Sequence, residues 1–377
     1  MKSDRLAQLD EISEKKARLM GLMKAQGLDS VIFTKRQNFA WATGGADNHV
    51  RHSSEGGVAS LIFFRDGRRV VLTSNIESPR IWDEELMGLG FDLETVSWWK
   101  PEERVSALNT LLAGGKTASD DGTPGTRDVE PFMPPLRMSL TSYEIDKYRW
   151  IGKQAGQGIS DTCKKIKKGM TEEEVAGMLF LELQKKSVKP TVMLVAADER
   201  ISKYRHPIPT ALKVKNSIMV VLCARRWGLV VSCTRLVCFG AMSPELKRKH
   251  DACVNIDGVF ITSTVPGASW SGIFQKAQKA YGEAGFPDEW QKHHQGGPTG
   301  YIEREFTATP GTSPNLKVEA NMAVAWNPSI TGTKSEDTIL VTSRGPEVIT
   351  SSPNWPMIGV TVDRKTVKRP NWLVKSA

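Results

Sequence analysis

Three residues in this chain have a type and a setting that suit proton transfer or ion binding. They are His206 in Arg205-His206-Pro207, His294 at the head of the glycine-rich run HHQGGPTGY, and Glu336 in SEDTILVT. A neutral imidazole accepts a proton near an ordinary pKa of about 6.5, so His206 and His294 are candidates for acid–base work at neutral pH. The plain alternatives are a structural histidine at a strand end for His206 and a satisfied loop histidine for His294. Gly296, Gly297 and Gly300 follow His294 and would let backbone approach a ligand closely. The neighbouring His293 is read as a surface residue. Glu336 opens an otherwise apolar strand pattern, so its carboxylate is expected to point inward, where it needs a metal, a cation or a proton.

Cysteine chemistry is less promising. The five cysteines, Cys163, Cys223, Cys233, Cys238 and Cys253, are an odd number without close CxxC pairs, and three of them sit in apolar strand-like sequence. That suits reduced core thiols better than disulfides or a metal cluster. Cys223 shares a strand face with Val221 and is expected to see the same cavity, but a nucleophilic role needs a paired base that the sequence does not place.

Two regions must position these residues. From Leu6 to Gly27 apolar residues recur at helical spacing, and a strand and loop follow. GGVASLIFFRDGRRVVLTSN then reads as a hairpin turning at Asp66-Gly67. A helix near Ile81–Leu89, a strand near Asp92–Trp98, a helix near Glu102–Leu112 and a short strand near Lys116–Ser119 complete an α/β unit. Pro124, Pro131, Pro134 and Pro135 mark a linker, which places the boundary between residues 1–135 and 136–377. The second region opens with a long amphipathic helix from Ser142 to Lys168-Gly169, and Thr171 caps another. VVLCARRWGLVVSCTRLVCFG, residues 220–240, is a second hairpin. There is no short-period repeat and no low-complexity tract.

Composition is that of an ordinary globular chain: 377 residues, 40% hydrophobic and 25% charged. The charged amphipathic start has no apolar leader and no stretch is apolar enough to span a bilayer, so a cytoplasmic location is expected. The net charge of +9 is spread in short runs such as Lys164-Lys165-Ile166-Lys167-Lys168, without aromatic interleaving or zinc-finger spacing. Such runs are solvated faces more often than nucleic-acid sites, and a nucleic-acid partner is not expected.

The ordered motifs EIxKxR, KGMTEEEV, RHPIPT, ARRWGLVVSCTR, HHQGGPTGY and SEDTILVT resemble the creatinase / aminopeptidase P / prolidase family. The resemblance covers nearly the whole chain. It implies an α/β (α+β) protein: a creatinase-type N-terminal α/β domain over 1–135 and a pita-bread domain over 136–377. Metal-dependent members hold two divalent ions with two Asp, one His and two Glu. Carried over from Thr234-Arg235, the two Asp positions fall on Val221 and Ser232. The His position falls on His294, and the Glu positions fall on Asn327, of Asn327-Pro328, and Glu336. Only two ligands remain, and a dinuclear site needs bridging carboxylates to neutralise its ions, so no metal and no cofactor is expected. A mononuclear metal on His294 and Glu336 is the weaker reading, because two ligands compete poorly with water.

His206 matches the family's proton-shuttling histidine, which metal-free creatinases use as general base. The resemblance therefore implies a metal-independent enzyme hydrolysing a C–N bond of a small nitrogenous compound. His206, His294 and Glu336 would be its catalytic groups, with Asn327, Tyr301, Ser232 and Glu305 at the substrate. Tyr301 replaces the family's second loop histidine and either bonds a substrate or packs; Glu303 and Glu305 either join the site or pair with Arg304. In creatinase-like homodimers the N-domain reaches over the partner's site, which makes Arg51 and His52 of the loop 44–54 candidates for a substrate carboxylate. An elimination or another proton transfer by the same groups, and a catalytically silent binding module for a protein or nucleic acid, are the alternatives.

Overall fold

A computed structural model describes residues 2–376, with side chains from Leu6 onward. The chain divides into two compact units, Met1–Arg137 and Met138–Ala377.

Unit 1 is built on a six-stranded sheet of β1 (Ser30–Lys35), β2 (Gly56–Phe64), β3 (Arg69–Ser74), β4 (Asp92–Val96), β5 (Thr117–Ser119) and β6 (Arg127–Asp128), in the order β4-β3-β2-β1-β5-β6. The β2–β3 hairpin turns where Asp66-Gly67 implies it, with Gly67 at φ +95°. Ile32, Ile62, Leu72 and Val96 form one buried face, covered by Leu108, Leu111 and Leu112 of the helix Pro101–Leu112. The helix expected at Ile81–Leu89 begins and ends three residues earlier. Ser78–Arg80 leads into one wide turn, Ile81–Leu86, closed by Met87 N–H donating to Trp82 O at 2.8 Å. Pro79 at its start and Gly88 and Gly90 beyond its end leave no room for more.

Unit 2 carries the second hairpin. β7 (Lys189–Ala197), β8 (Ser217–Arg226) and β9 (Leu229–Phe239) run antiparallel. A second sheet pairs β10 (Gly296–Thr299), β11 (Ala323–Trp326), β14 (Asp337–Thr342) and β15 (Gly345–Val348), with the small hairpin β12 (Ser329–Ile330) and β13 (Thr333–Lys334) between β11 and β14 in the chain. Two further strands, β16 (Met357–Val362) and β17 (Lys365–Pro370), pair with each other, and β18 (Leu373–Lys375) lies parallel to β9. The two larger sheets meet where β9 runs beside β14. Thr234 N–H donates to Glu336 O at 3.1 Å, and Ser232 and Thr338 exchange two bonds of 2.7 and 3.0 Å.

Helices clasp these sheets. Ser142–Lys165 and Glu172–Gln184 both start with a reciprocal capping box, Thr141/Glu144 and Thr171/Glu174, which fixes where each begins. The first helix lies so close to residues 349–351 that only glycine fits at its contact. A Cβ on Gly156 would stand 2.4 Å from Ser351 O. Among the described residues no helix is long and apolar enough to cross a membrane.

Replacing Gly156 by Ala is therefore expected to destabilise the chain by about 1–3 kcal/mol, read from the midpoint of denaturant unfolding. A second expectation comes from the helix Pro244–Ser263. His250 is buried with Thr333 Oγ1 at 2.8 Å from its Nδ1 and Pro370 O at 3.2 Å from its Nε2. The carbonyl can only accept, so Nε2 carries the proton and Nδ1 accepts from the hydroxyl. Burial holds His250 neutral, down to about 4. The unfolded chain takes up this proton near pH 6.5 and the folded chain does not, so stability present above pH 6.5 is lost as the pH falls toward 4. The loss from this group amounts to about 3 kcal/mol. The stability gap between the parent chain and His250→Gln is expected to narrow by that much between pH 7 and pH 4.

Candidate functional site

The inner wall of the site is the β8–β9 hairpin, whose register sets Val221 opposite Thr234 and Cys223 opposite Ser232. Alternation along each strand puts these four on one face. The Ser232 hydroxyl donates to Cys223 Sγ at 3.2 Å. Burial and the nearby Glu336 charge push the Cys223 thiol up to about 12, which leaves it protonated and no nucleophile.

Glu336, 2% exposed, is the buried acid that the apolar strand implies. Its Oε2 accepts from Thr234 Oγ1 at 2.6 Å and pairs with Lys334 Nζ at 3.0 Å, and its Oε1 pairs with Arg304 at 3.5 Å. Burial alone would raise its pKa; the Lys334 and Arg304 charges outweigh that and hold it below the usual carboxylate range. Lys334 is itself only 5% exposed. It stands two residues before Glu336, on the same side of an extended chain, a signal present in the sequence but not weighed there. The adjacent Asp337 turns the opposite way into a second buried network. There Arg235 lies 3.0 Å and Arg369 2.9 Å from Asp337, and Arg369 pairs also with Asp257 at 2.6 Å.

Three histidines face this acid's surroundings. His206 follows the short helix Arg200–Lys203 and is anchored by its neighbours, since Val195 N–H donates to Pro207 O at 3.2 Å. Arg205 forms a 2.8 Å ion pair with Glu289, at the start of the turn Glu289–Lys292 that leads into His293 and His294. This pair ties the two histidine-bearing segments together. His206 Nε2 lies 3.0 Å from His293 Nε2, and the His206 ring centroid is 5.7 Å from that of His294. The surface placement expected for His293 is corrected: it is 8% exposed and packed between the other two. Burial, then the Lys334 charge, lowers His206; burial with Arg304 and Lys334 holds His294 down at about 4; burial and Lys334 take His293 well below the usual imidazole range.

The remaining expected site residues go elsewhere. Tyr301 is fully buried and its hydroxyl donates to Glu144 Oε1 at 2.7 Å, so it braces the first helix rather than a substrate. Glu305 accepts from Tyr301 N–H at 3.2 Å and supports the loop at Gly300. The Ser232 hydroxyl and amide are both engaged, by Cys223 and Thr338. Asn327 is buried with its Oδ1 lacking a hydrogen-bond partner. Arg51 and His52 lie exposed on a loop of unit 1.

The donor set does not fit a dinuclear metal centre. Val221 offers no donor atom and the Ser232 hydroxyl is bound to sulfur. Asn327 brings no charge, and the Glu336 carboxylate is already neutralised by two fixed cations.

Residues 146–343 match the profile of metallopeptidase family M24, and the chain belongs to that family. An uncharacterised peptidase of Staphylococcus aureus strain MW2 is 25% identical over 312 residues, 77% of this chain and 87% of the relative. The prolidase of Pyrococcus horikoshii OT3 superposes with a TM-score of 0.77 at 17% identity, covering 90% of this chain and 98% of that one. The N-terminal domain of the FACT complex subunit SPT16 from Cicer arietinum superposes at 0.69 with 11% identity, covering 92% and 96%. The fold is the pita-bread fold of the prolidases.

Lys334→Met is expected to destabilise the chain by about 3 kcal/mol, because it leaves a buried carboxylate short of a partner. The double variant Lys334→Met/Glu336→Gln is expected to lose less than the single one. Paired denaturant unfolding curves check this.

Proposed function

We propose that this chain is a hydrolase on the M24 peptidase scaffold that works without a dinuclear metal centre and cleaves a C–N bond of a small nitrogenous compound. The observation that carries the reading is the Lys334–Glu336–Arg304 cluster. Fixed positive charge stands beside the carboxylate that the family resemblance assigns to metal binding, and it outnumbers that carboxylate by one.

His206 is the proton acceptor in this reading. With its Nε2–H given to His293 Nε2, the Nδ1 lone pair is left for a water or a substrate N–H, and His293 fixes the ring by that 3.0 Å bond. The buried Lys334 and the partly buried Arg304 supply positive charge where a carbonyl or amidine gains electron density. Being preorganised in a water-poor wall, they require little reorganisation during the reaction. His294, exposed beside them, offers a further hydrogen bond to the substrate's polar group.

The test is a screen of amides, amidines and cyclic ureas with chelator-treated protein. Turnover is expected to survive chelation and to fall about 10²–10⁴-fold in His206→Ala. Turnover that vanishes on chelation and returns with manganese or cobalt would overturn the reading. A second reading, a catalytically silent binding module, is favoured by the likeness to the SPT16 domain. It predicts no turnover of any compound in the screen.

A further inference from the structure

We propose that His206, His293 and His294 form a site for a single transition-metal ion of borderline softness, of the zinc or copper(II) kind, apart from the carboxylate-bearing positions of the family's dinuclear centre. An ion bound there would withdraw His206 from proton transfer; that consequence rests on the function proposed above, whereas the site itself does not.

The geometry is nearly in place. Ligand atoms of the three imidazoles all lie within 4.8 Å of one another, the only such group of histidine, cysteine or acidic residues among the described residues. A tetrahedral zinc ion with bonds of about 2.0–2.1 Å sets neighbouring nitrogens about 3.3 Å apart. The two Nε2 atoms of His206 and His293 stand at 3.0 Å, close to that spacing already. The rings of His293 and His294 are stacked, with centroids 4.3 Å apart and planes at 27°. The exposed His294 ring must turn to join, and its open surroundings permit it. Because His206 and His294 both face solvent, a fourth coordination position is open to water or to a ligand.

The outer hydrogen bond is also provided for. Metal-bound histidines ordinarily donate their second ring N–H to a fixed partner. His293 Nδ1 is buried without one, and so is Ser329 Oγ. Both residues line a small cavity of about 10 Å³ together with Arg205, Thr333 and Lys334. That is about the volume of one water, which would serve Nδ1–H and the serine hydroxyl together.

Charge decides which ions bind. The ligand set contains no carboxylate, and Lys334 and Arg304 stand near it with only Glu336 against them; Arg205 is taken by Glu289. Attraction between ion and protein therefore comes from the metal–nitrogen bonds. Copper(II) should bind most tightly, zinc and nickel(II) next, and magnesium and calcium not at all.

The experiment uses the full chain freed of metal by chelation, titrated with zinc chloride against a chromogenic competitor, and with cobalt(II) followed by visible absorption. About one zinc ion per chain is expected, with tetrahedral cobalt bands. His293→Ala should weaken zinc binding at least tenfold, and so should His206→Gln, whose exposed side chain spares the fold. Glu336→Gln should change it less than threefold. No zinc binding beyond that of the His206→Gln variant would overturn the site. So would a loss in Glu336→Gln equal to that in His293→Ala, because the ion would then sit at the family's own position. Turnover by the metal-free chain that falls in step with zinc occupancy supports the site and the proposed function together. Turnover that requires zinc supports the site and overturns the metal-free function. Turnover by a chain that binds no zinc overturns the site and leaves the function standing.

Discussion

A carboxylate with almost no solvent around it must be neutralised by the protein, and the site of this chain is arranged around that requirement at Glu336. In a protein interior an isolated ionised acid is far costlier than any single contact can offset. Here two cations and a hydroxyl meet it from three separate segments: Lys334 from β13, Arg304 from the loop after β10, and Thr234 from β9. Satisfying one charge thus fixes the relative positions of the hairpin, the glycine-rich loop and the last strands of unit 2. The positive charge brought in for that purpose also sets the electrostatics of the three histidines nearby. Burial and the Lys334 ammonium lower the pKa of all three.

Behind this layer the same strand solves the same problem again. Glu336 and Asp337 are neighbours on an extended chain and therefore face opposite ways, the first toward the site and the second toward Arg235 and Arg369. Arg235, the arginine of the Thr-Arg pair that anchors the family resemblance, also donates to Ser352 Oγ at 2.8 Å and Thr350 O at 2.8 Å. Its role is to fasten the hairpin to the segment between β15 and β16. These contacts depend on Arg235 and its neighbour Thr234, and the side chains of Val221 and Ser232 take no part in them.

The sequence disclosed those features that are local in the chain. The helix start at Thr171, the Asp-Gly hairpin, the 220–240 hairpin and the inward turn of Glu336 all follow from periodicity and turn chemistry within a few residues. The partners of the buried groups did not follow. Tyr301 finds Glu144 from 157 positions away, and nothing near Tyr301 announces that its hydroxyl is engaged. His293 was legible as an imidazole but not as a buried one, because its placement depends on the Arg205–Glu289 pair, 84 positions apart. Lys334 could have been found, since its spacing from Glu336 puts both on one side. A lysine in a loop sequence reads as solvated until the neighbouring strand is seen to cover it.

The joint between β9 and β14 also bears on how the chain reaches this state. Thr234 and Glu336 are separated by 102 positions, and Arg235 meets Ser352 across 117. Ordering so long an intervening segment carries an entropic cost before these bonds form, so unit 2 belongs among the slow folders for its size. Until that closure the hairpin, apolar over most of its length, stands with an uncovered face and an unpaired edge. Newly made chains therefore have a window in which β8 and β9 are open to association with one another, and the speed of the β9–β14 closure governs how much of the chain escapes it.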